Sequence, residues 1–166
     1  MEIDSLRKLY VEELKDLYSA EKQILQALPK MVKKASNPQL KAGFEEHLRQ
    51  TEEQVRRLDR IFEALGKSGR GKKCKGMEGL LEEGKEVMQE DMDEETRDAA
   101  LIAAAQRVEH YEIAGYGTVR TYAQLLGEDA AVRLLQQTLD EEGATDKKLT
   151  ALAEAINVEA MEEVEA

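Results

Sequence analysis

GKSGRGKKCKGMEGLLEEGKEVMQ, residues 66–89, is the stretch on which the architecture turns. Its first half is too rich in glycine and lysine to continue a helix. MEGLLEEGKEVMQ (77–89) reads as a short amphipathic helix with Leu80, Leu81, Val87 and Met88 on its packing face. On either side the chain is long helix-forming sequence broken by a single tight turn. Ser36-Asn37-Pro38 is a stop-and-restart signal, with Asn37 as N-cap and Pro38 at the first helical position. Gly127 ends a helix in the second half, and the next starts near Asp129. Two tight turns give two antiparallel hairpins. Roughly 30 residues join them, where an up-down-up-down bundle needs only a short loop. The link therefore travels along the bundle, and the second and third long helices run parallel.

The first helix is expected from Ser5 to Ala35, with Asp4 or Ser5 as cap and Leu6, Leu9, Tyr10, Leu14, Leu17, Ile24 and Leu28 at helical spacing. Pro29 removes a backbone donor inside this run and predicts a kink or an early end. The second helix runs to Leu65 and stops at Gly66, the third spans Arg97 to Leu126, and the fourth runs from Asp129 to Asn157. The predicted fold class is all-α: a ferritin-like four-helix bundle with one long crossover containing a short extra helix. Coiled-coil pairing of long helices is the competing arrangement, and the turns argue against it. Residues 1–157 form one bundle domain, and 158–166 an acidic tail expected to fray.

Composition narrows the function. The 166 residues are 42% hydrophobic and 36% charged, a balance that suits soluble amphipathic helices. A formal net charge of -11 argues against nucleic acid as a partner. Cys74 is the only cysteine, so an intrachain disulfide is excluded and a reducing compartment is expected. MEIDSLRKLY has no apolar leader core and no stretch is long enough to span a bilayer, so a cytoplasmic protein without a membrane partner is expected.

Each long helix carries an apolar stripe at alternating spacings of three and four. The first reads Leu14, Leu17, Glu21, Ile24, Leu28, and the second Leu40, Phe44, His47, Thr51, Val55, Leu58, Phe62. The third reads Leu101, Ala105, Val108, Glu112, Gly115, Val119, Ala123. The fourth reads Ala131, Leu135, Thr138, Glu142, Thr145, Leu149, Leu152, Ile156. Every stripe is interrupted near its middle by one ionisable group. Counted from the turns at about 1.5 Å per residue, Glu112 and Glu142 are nearly level. Glu21 lies about 15 residues before its turn but His47 only about 10 beyond it, so His47 is expected to reach along the bundle, with Thr51 closer to level.

Three glutamates facing one core are costly. Desolvating each ion costs several kcal/mol, against a total stability of roughly 5–15 kcal/mol. No Lys or Arg occupies a stripe. The compensators left are protons, hydroxyls such as those of Tyr18 and Tyr116, water, or a metal. Oxygen ligands with an imidazole suit iron, manganese or a similar divalent metal. Glu109, three before Glu112, and Asp146, four after Glu142, lie at the edge of the same faces and join Glu21, His47, Glu112 and Glu142 as candidate metal ligands. A solvated helix face is the competing reading for Glu109 and Asp146. His110 points about 200° from Glu112 and belongs to the surface or an interface.

The segments DLYSAEKQI (16–24), KKCKGMEGLLEEG (72–84), RDAALIAAAQRVEHYEIAGYGT (97–118) and TLDEEGATDKKLTALA (138–153) closely resemble the YciF-like bacterial stress-response proteins. The likeness runs from about residue 5 to 155. It implies a ferritin-like fold related in topology to rubrerythrin, a homodimer and a stress-linked role. The wider di-iron carboxylate proteins take a Glu from two helices and Glu-x-x-His from the other two. Glu21 and Glu112 match the single glutamates, and Glu142 matches one Glu-x-x-His whose His is replaced by Thr145. On the second helix Phe44 before His47 and Gln50 after it break the motif. With two histidines in all, the full pattern cannot be assembled. That leaves a degenerate, mononuclear or unusually ligated site, with one ion of iron or manganese or a pair.

The basic loop 66–76, with Lys67, Arg70, Lys72, Lys73 and Lys75, reads as solvated, and Cys74 as an ordinary thiol. AALIAAA (99–105) is apolar nearly all round its helix and needs cover from the crossover helix, a second subunit or both. The functional expectation is a stress-response protein with a carboxylate-rich intra-bundle metal site used in oxidant or metal detoxification. The alternatives are a non-catalytic structural or interaction protein with a degenerate site, and a subunit of a storage shell.

Overall fold

Side-chain caps decide where the helices begin. The computed structural model describes residues 2–162 and has five helices, the first four capped in this way: α1 (Leu6–Lys34), α2 (Pro38–Leu65), α3 (Lys75–Gln89), α4 (Glu94–Leu125) and α5 (Asp129–Glu162). Ser5 Oγ accepts from the Lys8 amide, and Asn37 Oδ1 from the Gln39 and Leu40 amides with Pro38 behind it. Gly66 (φ 64°) and Gly127 (φ 74°) supply the left-handed turns that end α2 and follow α4.

Several boundaries differ from expectation, each for a local reason. Pro29 neither ends nor interrupts α1. It faces solvent, where water can serve the carbonyl of Leu25 that loses its donor, while Leu28 and Met31 anchor the helix on both sides. The third long helix starts at Glu94, because Asp93 caps it through the Thr96 amide at 2.7 Å. The crossover helix starts at Lys75, because Cys74 Sγ accepts from the Met77 amide. α5 continues to Glu162, into the segment expected to fray, and residues 163–166 lie outside those described.

Side-chain contacts give the topology. Along α1 and α4, Asp16 meets Tyr111, Leu17 lies against Gly115, and the Ser36 and Asn37 amides donate to Asp98, so these helices are antiparallel. Along α2 and α5, Gly43 lies near Lys148 and Leu152, Gln50 meets Thr145, and Arg57 meets Thr138, again antiparallel. α2 and α4 therefore run parallel on the diagonal, as the long crossover requires. α3 lies across α1 and α4 and covers the alanine-rich run, with Gly84 over Ala104. Leu80, Leu81 and Met88 pack against the core as expected, and the fully buried positions of α3 are Met77 and Gly84.

The apolar core is in two parts. One holds Ile24, Leu28, Phe44, Met77, Leu101 and Leu149; the other holds Tyr10, Leu14, Leu58, Phe62, Val119 and Leu135. Between them, at mid-height on all four long helices, lies a buried polar layer.

Candidate metal centre

The layer is built from one or two side chains of each long helix. Glu21 of α1, Glu112 of α4 and Glu142 of α5 are fully buried, and their nearest carboxylate oxygens all lie within 4.8 Å of one another. His47 of α2, Glu109 of α4 and Glu142 form a second group within the same limit. Glu142 belongs to both. Five of the six sequence-selected ligands are thus brought together.

Asp146 is not among them. Its Oδ2 lies 3.2 Å from His110 Nε2, and its Oδ1 3.4 Å from Gln106 Nε2, at the outer edge of the α4–α5 contact. One turn beyond Glu142 the helix has turned this flank outward, and Asp146 sits half-buried, 21% exposed, bonded to side chains of α4 instead of joining the layer. His110 is 68% exposed.

His47 has no need to reach along the bundle. Its Nε2 is 3.1 Å from Glu109 Oε1, one turn from Glu112. Because α2 and α4 are parallel, the offset of His47 from Glu21 is matched by that of Glu109 from Glu112. Thr51 is level but otherwise engaged, its hydroxyl donating to the His47 carbonyl at 2.7 Å. Tyr116 donates to Glu21 Oε1 at 2.6 Å. Tyr18 is turned away, edge-on to Phe62.

The remaining polar atoms lack partners. They are Glu21 Oε2, Glu109 Oε2, both oxygens of Glu112 and of Glu142, His47 Nδ1, and both amide atoms of Gln54. Gln54 is fully buried on α2 and was not singled out from the sequence. The signal was its spacing, three beyond Thr51 and seven beyond His47, at which Val55 was the more obvious core residue.

Electrostatics follow from burial and crowding. Burial, reinforced by the charge of Glu142, pushes Glu21 up to about 8. Burial and neighbouring carboxylates hold Glu112 and Glu109 well above the usual carboxylate range. Burial lowers His47, so the His47–Glu109 pair is neutral. Among the described residues no Lys or Arg pairs with these four glutamates. Arg57, on the same face of the bundle, is committed to Glu141 and Thr138. Oxygen-rich donors with one imidazole and orphaned buried carboxylates fit iron or manganese. Thr145, at the motif's histidine position, bonds Gln50 at 3.3 Å.

The crossover is tied down beside this layer. Cys74 is buried, its Sγ 3.0 Å from the Tyr111 hydroxyl, which donates to Asp16 at 2.7 Å. Burial pushes the Cys74 thiol up, consistent with an unreactive, structural thiol.

Residues 5–162 match the family described as Domain of unknown function (DUF892). Protein YciF of Escherichia coli (strain K12) is 47% identical over 154 residues, 92% of this chain and 93% of that protein. The crystal structure of the E. coli stress protein YciF is similar with a TM-score of 0.90 at 46% identity, covering 93% of this chain and 98% of that one. YcfI from Rhodopseudomonas palustris gives 0.87 at 44%, covering 90% and 95%. A protein of Xanthomonas campestris, at 23% identity and a TM-score of 0.78 over 97% and 99%, shares the fold. No helix among the described residues is long and apolar enough to cross a membrane.

Proposed function

The chain belongs to the family described as Domain of unknown function (DUF892), with the YciF-like proteins, and from that premise we propose that it is a stress-response protein whose polar layer holds iron or manganese. The observation that carries this reading is the set of six buried carboxylate oxygens, two each on Glu112 and Glu142 and one each on Glu21 and Glu109, that no donor from outside the layer satisfies. Glu21, Glu112 and Glu142 would hold one ion, and His47, Glu109 and Glu142 a second where two are bound. A bound ion of this kind supplies one-electron chemistry toward peroxide or oxygen and a means of sequestering the metal itself.

The chain's own residues prepare that environment. Tyr116 fixes one oxygen of Glu21 and leaves the other free. His47 and Glu109 orient each other. The apolar halves of the core exclude water from above and below. The role in this reading is detoxification of metal or oxidant; the stress-linked setting and a homodimer are what the family resemblance implies.

The raised carboxyls favour a second reading, in which the layer is a metal-free set of hydrogen-bonded carboxylic acids in a structural or interaction protein. Metal analysis of the purified protein, with melting curves under anaerobic Fe(II) or Mn(II), separates the two. A metal-dependent rise in melting temperature supports the first; no response between pH 6 and 8 leaves the second.

A further inference from the structure

A cavity of about 120 Å3 enters the bundle between α2 and α5 and reaches inward to His47 and Glu109. Its exposed rim is formed by Glu46, Ala144 and Lys148, with Lys148 Nζ 3.5 Å from Glu46 across the two helices. Its walls are mostly apolar, with Ile24, Phe44, Val108 and Leu149 among them. Gln50 and Thr145 also line it, but they bond each other, which leaves the His47–Glu109 end as its buried polar feature.

Size and chemistry define the occupant. An apolar cavity of about 150 Å3 stays dry and takes up benzene, so this somewhat smaller one, open at its rim, suits a body of about six non-hydrogen atoms. A charged body would lose its hydration to walls that offer nothing in return. At the inner end stand the His47 imidazole and the Glu109 carboxyl, Nε2 to Oε1 3.1 Å, groups that give and take hydrogen bonds. We propose that this cavity is a binding site for a compact, neutral, apolar molecule carrying a single hydroxyl or hydroperoxyl head, seated head-inward at His47 and Glu109. The assignment rests on the cavity and does not depend on metal in the polar layer.

The test is a methyl NMR titration of the metal-free protein with three probes: phenol for the hydroxyl head, tert-butyl hydroperoxide for the hydroperoxyl head, and toluene for a body without a head. At least one headed probe should give saturable shifts at Ile24, Val108 and Leu149, and which of them does so fixes the head. Toluene should bind about tenfold more weakly.

Gly43→Leu fills the mouth, where an added Cβ meets only Lys148 Cε at 3.9 Å and Leu152 Cδ1 at 4.0 Å, so the fold should tolerate it. Ala105→Leu fills the cavity from its α4 wall. Each should weaken the headed probe by about tenfold or more, with an intact thermal transition for Gly43→Leu. No saturable shift at these methyls with either headed probe would overturn the site. Affinity unchanged in Gly43→Leu would do the same, and toluene binding as tightly as the headed probes would overturn the head assignment.

Discussion

His47 Nε2 and Glu109 Oε1 lie 3.1 Å apart, with the two side chains 5% and 2% exposed. Burial lowers the imidazole and raises the carboxyl, so burial favours the uncharged form of each. Glu109→Gln keeps a neutral partner of the same shape and should cost little stability. Glu109→Leu leaves His47 without a partner in a dry site and should cost about 1–3 kcal/mol. Denaturant unfolding of the two variants checks this, and equal losses would refute the pairing.

Glu112→Gln removes one charge from the crowded layer while keeping its shape. The metal-free variant should melt higher than the parent, because repulsion and desolvation both fall. The same change should abolish most of the rise produced by anaerobic Fe(II) or Mn(II), which for the parent is worth about 2.7 kcal/mol at a hundredfold excess over the dissociation constant. Calorimetry on both proteins, with chelator and with metal, reads both effects.

Stability of the metal-free protein should fall as pH rises. Glu21 holds its proton up to about 8 in the fold, against an ordinary value of 4.5. A folded-state value above the unfolded one favours the fold fully below 4.5 and loses that contribution as pH climbs to about 8. Glu109 and Glu112 act in the same direction. Metal binding needs the carboxylates deprotonated, so saturating metal should reverse the slope across this window. Urea unfolding at a series of pH values gives the sign directly.

Asp98 of α4 accepts from the Ser36 amide at 2.8 Å and the Asn37 amide at 2.7 Å, so the turn of one hairpin is closed by a side chain of the other. Asp98→Ala should cost about 1–3 kcal/mol by orphaning these donors, and Asp98→Asn less, since one acceptor remains. Equilibrium unfolding and amide exchange at Ser36 and Asn37 are the measurements.

Much of this was legible in the chain. Turn chemistry at Asn37-Pro38 and Gly127 set the hairpins, and the length of 66–97 set the crossover. A single ionisable interruption in each stripe found Glu21, His47, Glu112 and Glu142. Distance from a turn measures height along one helix but not the offset between diagonal neighbours. His47 therefore looked misplaced until α4 supplied Glu109. The same arithmetic could not separate Glu109 from Asp146, both at the edge of a stripe, because that choice depends on how α4 and α5 are rotated against each other. Asp98 was invisible for a different reason: its partners are backbone amides distant in sequence. Cys74 looked like a loop thiol because its cap and its contact with Tyr111 exist only once α3 has docked.

The polar layer has a consequence independent of any ion. Stripes of leucine and alanine repeat every turn or two, so a helix displaced by one turn, about 5.4 Å, still finds apolar neighbours. Such a slip would carry Glu21 to the level of Leu17 or Ile24, inside one apolar half or the other. Only one alignment of the four helices lets every buried acid meet another member of the layer. The layer is an index mark that fixes how far each helix slides along the bundle, and a variant stripped of it should become less particular about alignment even if it grew more stable.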